Sequence, residues 1–236
     1  MKYKEKIVAF IDILGFKRLI NDESKFDDIG AILKLPYFMG QDNIVKMMKL
    51  KGVMMTSISD SLVFSIGLKE HGAMNKITKL LSAFTQILLS QYGLLLRGGI
   101  AVGKLYHDSD VVYGPGLVKA YELENKFSIY PRIIIDPSDF ECSILSCRNI
   151  SQSILREIFI IDDDGFFALD CFHYANQKTL ELCCFNLEQM KTSDLRAQQK
   201  INWMKTVIDR KIKEKPIIPE AYDDSHPDNA KKSILS

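Results

Sequence analysis

The apolar run Ile7-Val8-Ala9-Phe10-Ile11 ends in Asp12, and Ile13-Leu14-Gly15-Phe16 follows at once. A carboxylate at the end of a buried run is costly to desolvate, so it must meet a cation or an open edge. A second isolated carboxylate, Asp60, stands in Ser57-Ile58-Ser59-Asp60-Ser61-Leu62-Val63-Phe64. Two such acids, each at a strand end, point to a divalent-metal site that holds a polyphosphate. The backbone carbonyl of Ile13 is suited to complete a metal shell. Arg97, in Leu96-Arg97-Gly98-Gly99, supplies a planar fork for phosphate oxygens. The amides of Leu14, Gly15 and Phe16 fall at a helix start, where partial positive charge favours phosphate and Gly15 permits close approach. Taken singly, Asp12 reads as a helix cap, Asp60 as a turn residue and Arg97 as the partner of a surface acid. Only their convergence makes a site.

The elements that must bring them together follow from hydrophobic periodicity. Strands are expected at 6–13, 52–58, 61–67 and 94–102. A helical region from Gly15 to about Leu50, broken near Pro36, separates the first two strands, and a helix over 71–92 precedes the fourth. This order is the split β-α-β-β-α-β of ferredoxin-like sheets. With right-handed crossovers, strands one and two run the same way and strand three lies between them, reversed. The end of strand one (Asp12), the turn between strands two and three (Asp60) and the start of strand four (Arg97) then share one sheet edge. The expected fold class is therefore α+β: a ferredoxin-like βαββαβ core, its antiparallel or mixed sheet carrying helices on one face, with a C-terminal strand–helix extension. In that extension Gly114-Pro115-Gly116 opens a helix over 117–126, and Arg132-Ile133-Ile134-Ile135 reads as a strand before a helix begun at Asp136. Residues 157–161 and 166–171 form a late hairpin around Asp162-Asp163-Asp164-Gly165, and one long helix covers 177–212. The expected division is 1–172 as catalytic domain and 173–236 as a C-terminal helix and flexible arm packed on it.

Composition narrows the class without naming a function. The 236 residues are 47% hydrophobic and 26% charged with a net charge of +1, so neither nucleic acid nor a membrane is an expected partner. The longest apolar runs are far shorter than a bilayer span, and Met-Lys-Tyr-Lys-Glu-Lys lacks a signal-peptide core, which reads as cytoplasmic. Five cysteines form no CxxC pair and read as reduced structural thiols. The four histidines, His71, His107, His173 and His226, make no spaced ligand set and read as surface or incidental.

Three segments, Phe10-Ile11-Asp12-Ile13-Leu14-Gly15-Phe16, Ile58-Ser59-Asp60-Ser61 and Leu96-Arg97-Gly98-Gly99-Ile100-Ala101-Val102-Gly103, closely resemble the core motifs of class III nucleotidyl cyclases. The likeness covers about residues 6–126 and continues through Tyr113–Glu124. It implies that Asp12, Asp60 and the Ile13 carbonyl hold two metal ions, Mn²⁺ or Mg²⁺, and that Arg97 binds terminal phosphates. It also implies a homodimer whose sites lie between subunits. Thr56 stands where purine cyclases carry a base-reading Lys or Glu, and their second base-reading position falls near Val111. Their transition-state Asn and Arg align with Val118 and Glu122. A glutamate cannot stabilise a developing phosphorane charge, which leaves Lys119 and Arg132 as substitutes there or as contacts made across the dimer.

These departures, with Ala120-Tyr121-Glu122-Leu123-Glu124, Tyr130-Pro131-Arg132-Ile133-Ile134-Ile135-Asp136 and Asp162–Asp170, resemble the Pycsar pyrimidine cyclases over about residues 6–172. That resemblance implies a bacterial antiphage enzyme converting UTP or CTP to a 3′,5′-cyclic nucleotide and pyrophosphate. The product would switch on a separate effector that the enzyme does not itself bind. Between the two pyrimidines the leaning is to uridylate. Two alternatives stay open: a catalytically silent, nucleotide-binding regulatory domain, and a purine cyclase.

Overall fold

The computed structural model of the chain describes residues 2–41, 52–146 and 151–214. The first strand, β1 (Lys4–Leu14), alternates two buried sets. Ile7, Ile11 and Ile13 enter the main core, whereas Val8 enters a second cluster on the opposite sheet face. Both faces being covered explains why this stretch reads as a nearly unbroken apolar run.

A short helix α1 (Phe16–Ile20), a turn capped by the Asp22 carboxylate and helix α2 (Phe26–Gln41) follow. The break expected near Pro36 is absent: α2 runs through it, and the buried Ile32 one turn earlier anchors the helix to the core. The remainder of that expected helix, to Leu50, lies outside the described residues. Strands β2 (Met54–Ile58) and β3 (Ser61–Gly67) form a hairpin on the two-residue turn Ser59-Asp60, with Ser59 left-handed at φ 57°. Helix α3 (Ala73–Tyr92) buries Ile77, Leu81, Phe84 and Leu88 against the sheet.

Strand β4 (Leu95–His107) runs five residues past the end the apolar pattern indicates and turns back through β5 (Val112–Tyr113). Helix α4 (Pro115–Glu122) then continues as a π turn (Leu123–Phe127). Strand β6 (Ile133–Ile135), helices α5 (Pro137–Ser146) and α6 (Ser151–Ile158), and the hairpin β7 (Phe159–Ile161) and β8 (Phe167–Leu169) extend the sheet. The single helix expected over 177–212 is two, α7 (Gln177–Gln189) and α8 (Leu195–Glu214). Met190 turns extended, and the Asp194 carboxylate accepts the Arg196 N–H at 2.9 Å, restarting the helix.

The strand order is β2-β3-β1-β4-β6-β8-β7, with β5 on β4. The first four strands are mutually antiparallel neighbours in the ferredoxin-like order β2-β3-β1-β4. Helices α2 and α3 lie on one face, as expected, and α7 and α8 add Leu180, Leu187, Ile201 and Ile208 to the same core. Helix α4 and its π turn cross the other face, over Val8, Val63 and Ala101. Among the described thiols, Cys171 and Cys183 are buried and pushed up to about 12 by desolvation, which keeps them unreactive.

Candidate active site

Strand register alone brings the singled-out residues together. Asp12 pairs with Arg97 across β1 and β4 and with Ser61 across β1 and β3. Ser61 directly follows the turn that carries Asp60. The Ile13 N–H donates to the Asp60 carbonyl at 3.2 Å. Because N–H and C=O of one strand residue point to the same neighbour, the Ile13 carbonyl also faces that turn. Asp60 itself is half-buried. Gly15 takes the left-handed conformation (φ 85°) that lets the chain leave β1 and begin α1 at Phe16.

Arg97 Nε donates to Asp12 Oδ2 at 2.9 Å. Its NH2 lies 2.8 Å from Glu124 Oε1, and its NH1 donates to the Ser128 carbonyl at 3.5 Å. The Glu124 contact is an ion pair without hydrogen-bond alignment, since Oε1 has charge opposite it but no donor aimed at it. Glu124 is 3% exposed, and burial pushes its carboxyl up to about 6; Arg97 pulls the other way, while Asp12 and Asp60 add to the rise. The π turn places this acid over the rim, a common use of such insertions. On α8, half-buried Lys200 stands close enough to Arg97, Asp12 and Glu124 for each to move its ammonium. Burial and then Arg97 lower it; the two acids hold it up. Its helix is fixed there by Trp203, stacked on Tyr130 at 5.6 Å. Glu124 and Lys200 are the two members of the rim that the sequence reading did not pick out.

Within this chain, Lys119 and Arg132 are each engaged by acids of other elements. Lys119 Nζ donates to Asp139 Oδ1 at 2.7 Å, and Asp139 Oδ2 accepts the Val102 N–H at 3.0 Å, tying α4 to β4. Arg132 grips Asp162 and Asp164 of the late hairpin and donates to the Phe127 carbonyl at 3.2 Å. Among the described contacts, neither cation reaches Asp12, Asp60 or Arg97. Val118 is 58% exposed, and Glu122 is held by Lys126 at 2.8 Å.

Thr56 is on the rim's sheet face: Thr56 pairs with Val63 and Val63 with Phe10, two residues before Asp12. Its hydroxyl lies 2.9 Å from His107 Nε2. His107, read from sequence as incidental, is buried, because β4 carries it over the sheet beyond the apolar pattern. Its Nδ1 is 2.7 Å from Ser65 Oγ, which accepts from the buried Lys6 ammonium at 3.3 Å. Burial first, and then Lys6, pull the His107 imidazolium down to about 4, with Asp108 opposing. The ring is therefore neutral when folded and protonated near pH 6.5 when unfolded, so stability present above pH 6.5 is lost as pH falls toward 4. We expect a loss of about 3 kcal/mol across that window, absent in His107→Phe, measured by urea melts at pH 7 and pH 4.5. Equal pH slopes in the two proteins contradict a neutral buried ring.

The donor set fits a hard divalent cation. Among the described residues no three carboxylate, imidazole or thiol groups gather to form a closed cage. Two carboxylates and a carbonyl leave the remaining positions to phosphate oxygens and water, as Mg²⁺ prefers. A cavity of about 430 Å³ lies away from the rim, between Leu96, Arg132, Asp170 and Trp203. Two of its cations are already paired, Arg132 with Asp162 and Lys211 with Asp170, and none of Asp12, Asp60 and Arg97 lines it.

With that geometry in place, the solved structures it is similar to become informative. The chain is similar to the adenylyl cyclase CyaB of P. aeruginosa, with a TM-score of 0.51 and 16% identity over 72% of this chain and 95% of that one. The catalytic core of a rhodopsin-guanylyl cyclase with converted specificity, in complex with ATPαS, gives 0.49 and 16% over 72% and 97%. A bacterial light-regulated adenylyl cyclase gives 0.48 and 14% over 80% and 99%. At such identities the first likeness establishes the fold alone: this chain has the α+β core fold seen in that cyclase. No family model and no curated protein matches it. No described helix is long and apolar enough to cross a membrane.

Proposed function

We propose that this chain is a nucleotidyl cyclase that converts a pyrimidine nucleoside triphosphate, UTP or CTP, to its 3′,5′-cyclic monophosphate and pyrophosphate. The observation that carries the reading is the register of β1 with β3 and β4, which puts Asp12, Asp60 and Arg97 on one rim. In the reaction the ribose 3′-oxygen bonds to the α-phosphorus, its proton leaves, and the bond to the β-phosphate oxygen breaks. Asp12, Asp60 and the Ile13 carbonyl would hold Mn²⁺ or Mg²⁺, which acidifies the hydroxyl and neutralises the leaving oxygens. Arg97 and the Gly15-Phe16 amides take phosphate oxygens, and Thr56 borders the base. Arg97 is held at this rim through Nε on Asp12, which keeps its guanidinium beside the place proposed for phosphate. Lys200 adds a positive charge to a rim whose aligned arginine position is Glu122.

A homodimer is part of the proposal, supported by the apolar Val118 and Tyr121 left 58% and 46% exposed on α4. The role of the product as an antiphage messenger acting on a separate effector rests on the sequence likeness alone. A second reading, a silent nucleotide-binding domain, draws on Glu122 being engaged by Lys126 where a transition-state cation is expected. Purified protein incubated with Mn²⁺ and each of four nucleoside triphosphates separates these readings. The expected products are pyrophosphate and cyclic UMP or cyclic CMP. Pyrophosphate from none of the four selects the silent domain; cyclic AMP or cyclic GMP alone selects a purine cyclase.

A further inference from the structure

The three polar groups beneath Thr56, Lys6, Ser65 and His107, give its hydroxyl a direction. Lys6 is an ammonium, with three donors and no acceptor. It lies 3.3 Å from Ser65 Oγ, and Ser65 is fully buried. Ser65 Oγ therefore accepts from Lys6, and its single proton has one remaining partner, His107 Nδ1 at 2.7 Å. An imidazole that accepts at Nδ1 carries its proton on Nε2. Nε2 then donates to Thr56 Oγ1 at 2.9 Å. Having accepted, the Thr56 hydroxyl keeps its own proton for the open side of the sheet. In the opposite polarity Ser65 Oγ accepts from both Lys6 and Nδ1–H, and its own buried proton is left without an acceptor.

We infer that the chain Lys6–Ser65–His107–Thr56 fixes the Thr56 hydroxyl as a hydrogen-bond donor toward the base, so that the site selects a base presenting a carbonyl oxygen over one presenting an amino group. This rests on the proposed reading in one respect, that Thr56 borders the base. The placement agrees with it: Thr56 shares a sheet face with Asp12, two strand spacings across and two residues along, roughly 12 Å, within the span of one nucleoside triphosphate. Uracil presents a carbonyl at C4 where cytosine presents an amino group. Of the two pyrimidine substrates the relay therefore takes UTP. The same polarity applied to purines favours guanine, with its carbonyl at C6, over adenine. A hydroxyl free to rotate reads either base; one committed as donor leaves cytosine with two donors facing each other. His107, Ser65 and Lys6 act here through Thr56 and are positioning residues.

Lys6→Met tests the direction without touching the base site. The methionine keeps an apolar stem beside Met54, which Lys6 now approaches at 3.5 Å. With the ammonium gone, Ser65 can accept from Nδ1–H, the chain reverses, and Thr56 can present a lone pair outward. The wild-type protein is expected to have a higher kcat/KM for UTP than for CTP, and Lys6→Met to lower that ratio at least about tenfold. Thr56→Val, close to isosteric, is expected to collapse the ratio in the same way and covers the case that Lys6→Met does not fold. Two-bond ¹H–¹⁵N correlation of the His107 ring is expected to show the Nε2–H tautomer in wild type. A preference for CTP, an unchanged ratio in a folded Lys6→Met, or a ring protonated on Nδ1 overturns the inference. Turnover of GTP over ATP with none of UTP refutes the pyrimidine reading and leaves the relay standing. If no nucleotide turns over, equilibrium binding of UTP against CTP decides, with equal affinities counting against the relay.

Discussion

Replacing Asp60 by alanine is expected to abolish cyclic nucleotide formation, by about a thousandfold or more, while leaving the fold intact. In the proposed site two carboxylates would hold a hard cation, and removing one would halve the protein's charge on it just where three phosphates add theirs. A thousandfold corresponds to about 4 kcal/mol at the transition state, within what loss of a metal ligand commonly costs. Asp60 is a cleaner target than Asp12, because Asp12 also holds Arg97 at 2.9 Å, and its loss strands a guanidinium beside Glu124. Asp60 contributes its backbone to the architecture: the carbonyl accepts the Ile13 N–H, and alanine preserves that bond. Stability is therefore expected within about 1 kcal/mol of the parent by urea melting. A folded Asp60→Ala protein that still releases pyrophosphate at the parent's rate removes the metal role of the rim, and with it the cyclase reading.

How much of this was legible in the residues can be traced element by element. The unbroken apolar run from Ile7 to Ile11 and the split order of the first four strands were sufficient to place Asp12, Asp60 and Arg97 at one edge. Sheet register does the rest, since a slip of one residue would turn every side chain to the wrong face. Three features were not legible. His107 lies on a stretch of β4 with no apolar alternation to announce it as strand, so a lone histidine read as incidental. Glu124 is carried over Arg97 by a π turn, and a one-residue helical insertion leaves no signature in composition or spacing. Lys200 sits among the charges of α8 that read as a solvated face, and only tertiary packing turns that face toward the rim. The division of the C-terminal helix did carry a signal, Thr192-Ser193-Asp194 ahead of Leu195, the composition of an N-cap.

Gly99→Ala is expected to be strongly damaging, costing about 3 kcal/mol or more and at least tenfold in turnover. A Cβ at Gly99 meets the Ala120 carbonyl oxygen at 2.3 Å, Leu123 Cβ at 2.6 Å and the Glu124 nitrogen at 3.0 Å. Two of these are backbone atoms, so no rotamer change relieves the clash and the junction of α4 with its π turn must lift. Overpacking of this kind costs about 1–3 kcal/mol by itself. Lifting the turn also withdraws Glu124 from Arg97, and a buried charge that loses its partner adds to the loss. Activity falls with stability, because Arg97 then has one anchor on the rim instead of two. Gly30 supplies the opposite sign: it lies inside α2, with nothing within 4 Å of a built Cβ, so Gly30→Ala is expected to stabilise by up to about 1 kcal/mol. Urea melts of the two variants beside the parent read both effects. A Gly99→Ala protein as stable and as active as the parent means that α4 does not rest on β4 as described, and the Glu124–Arg97–Asp12 chain loses its support.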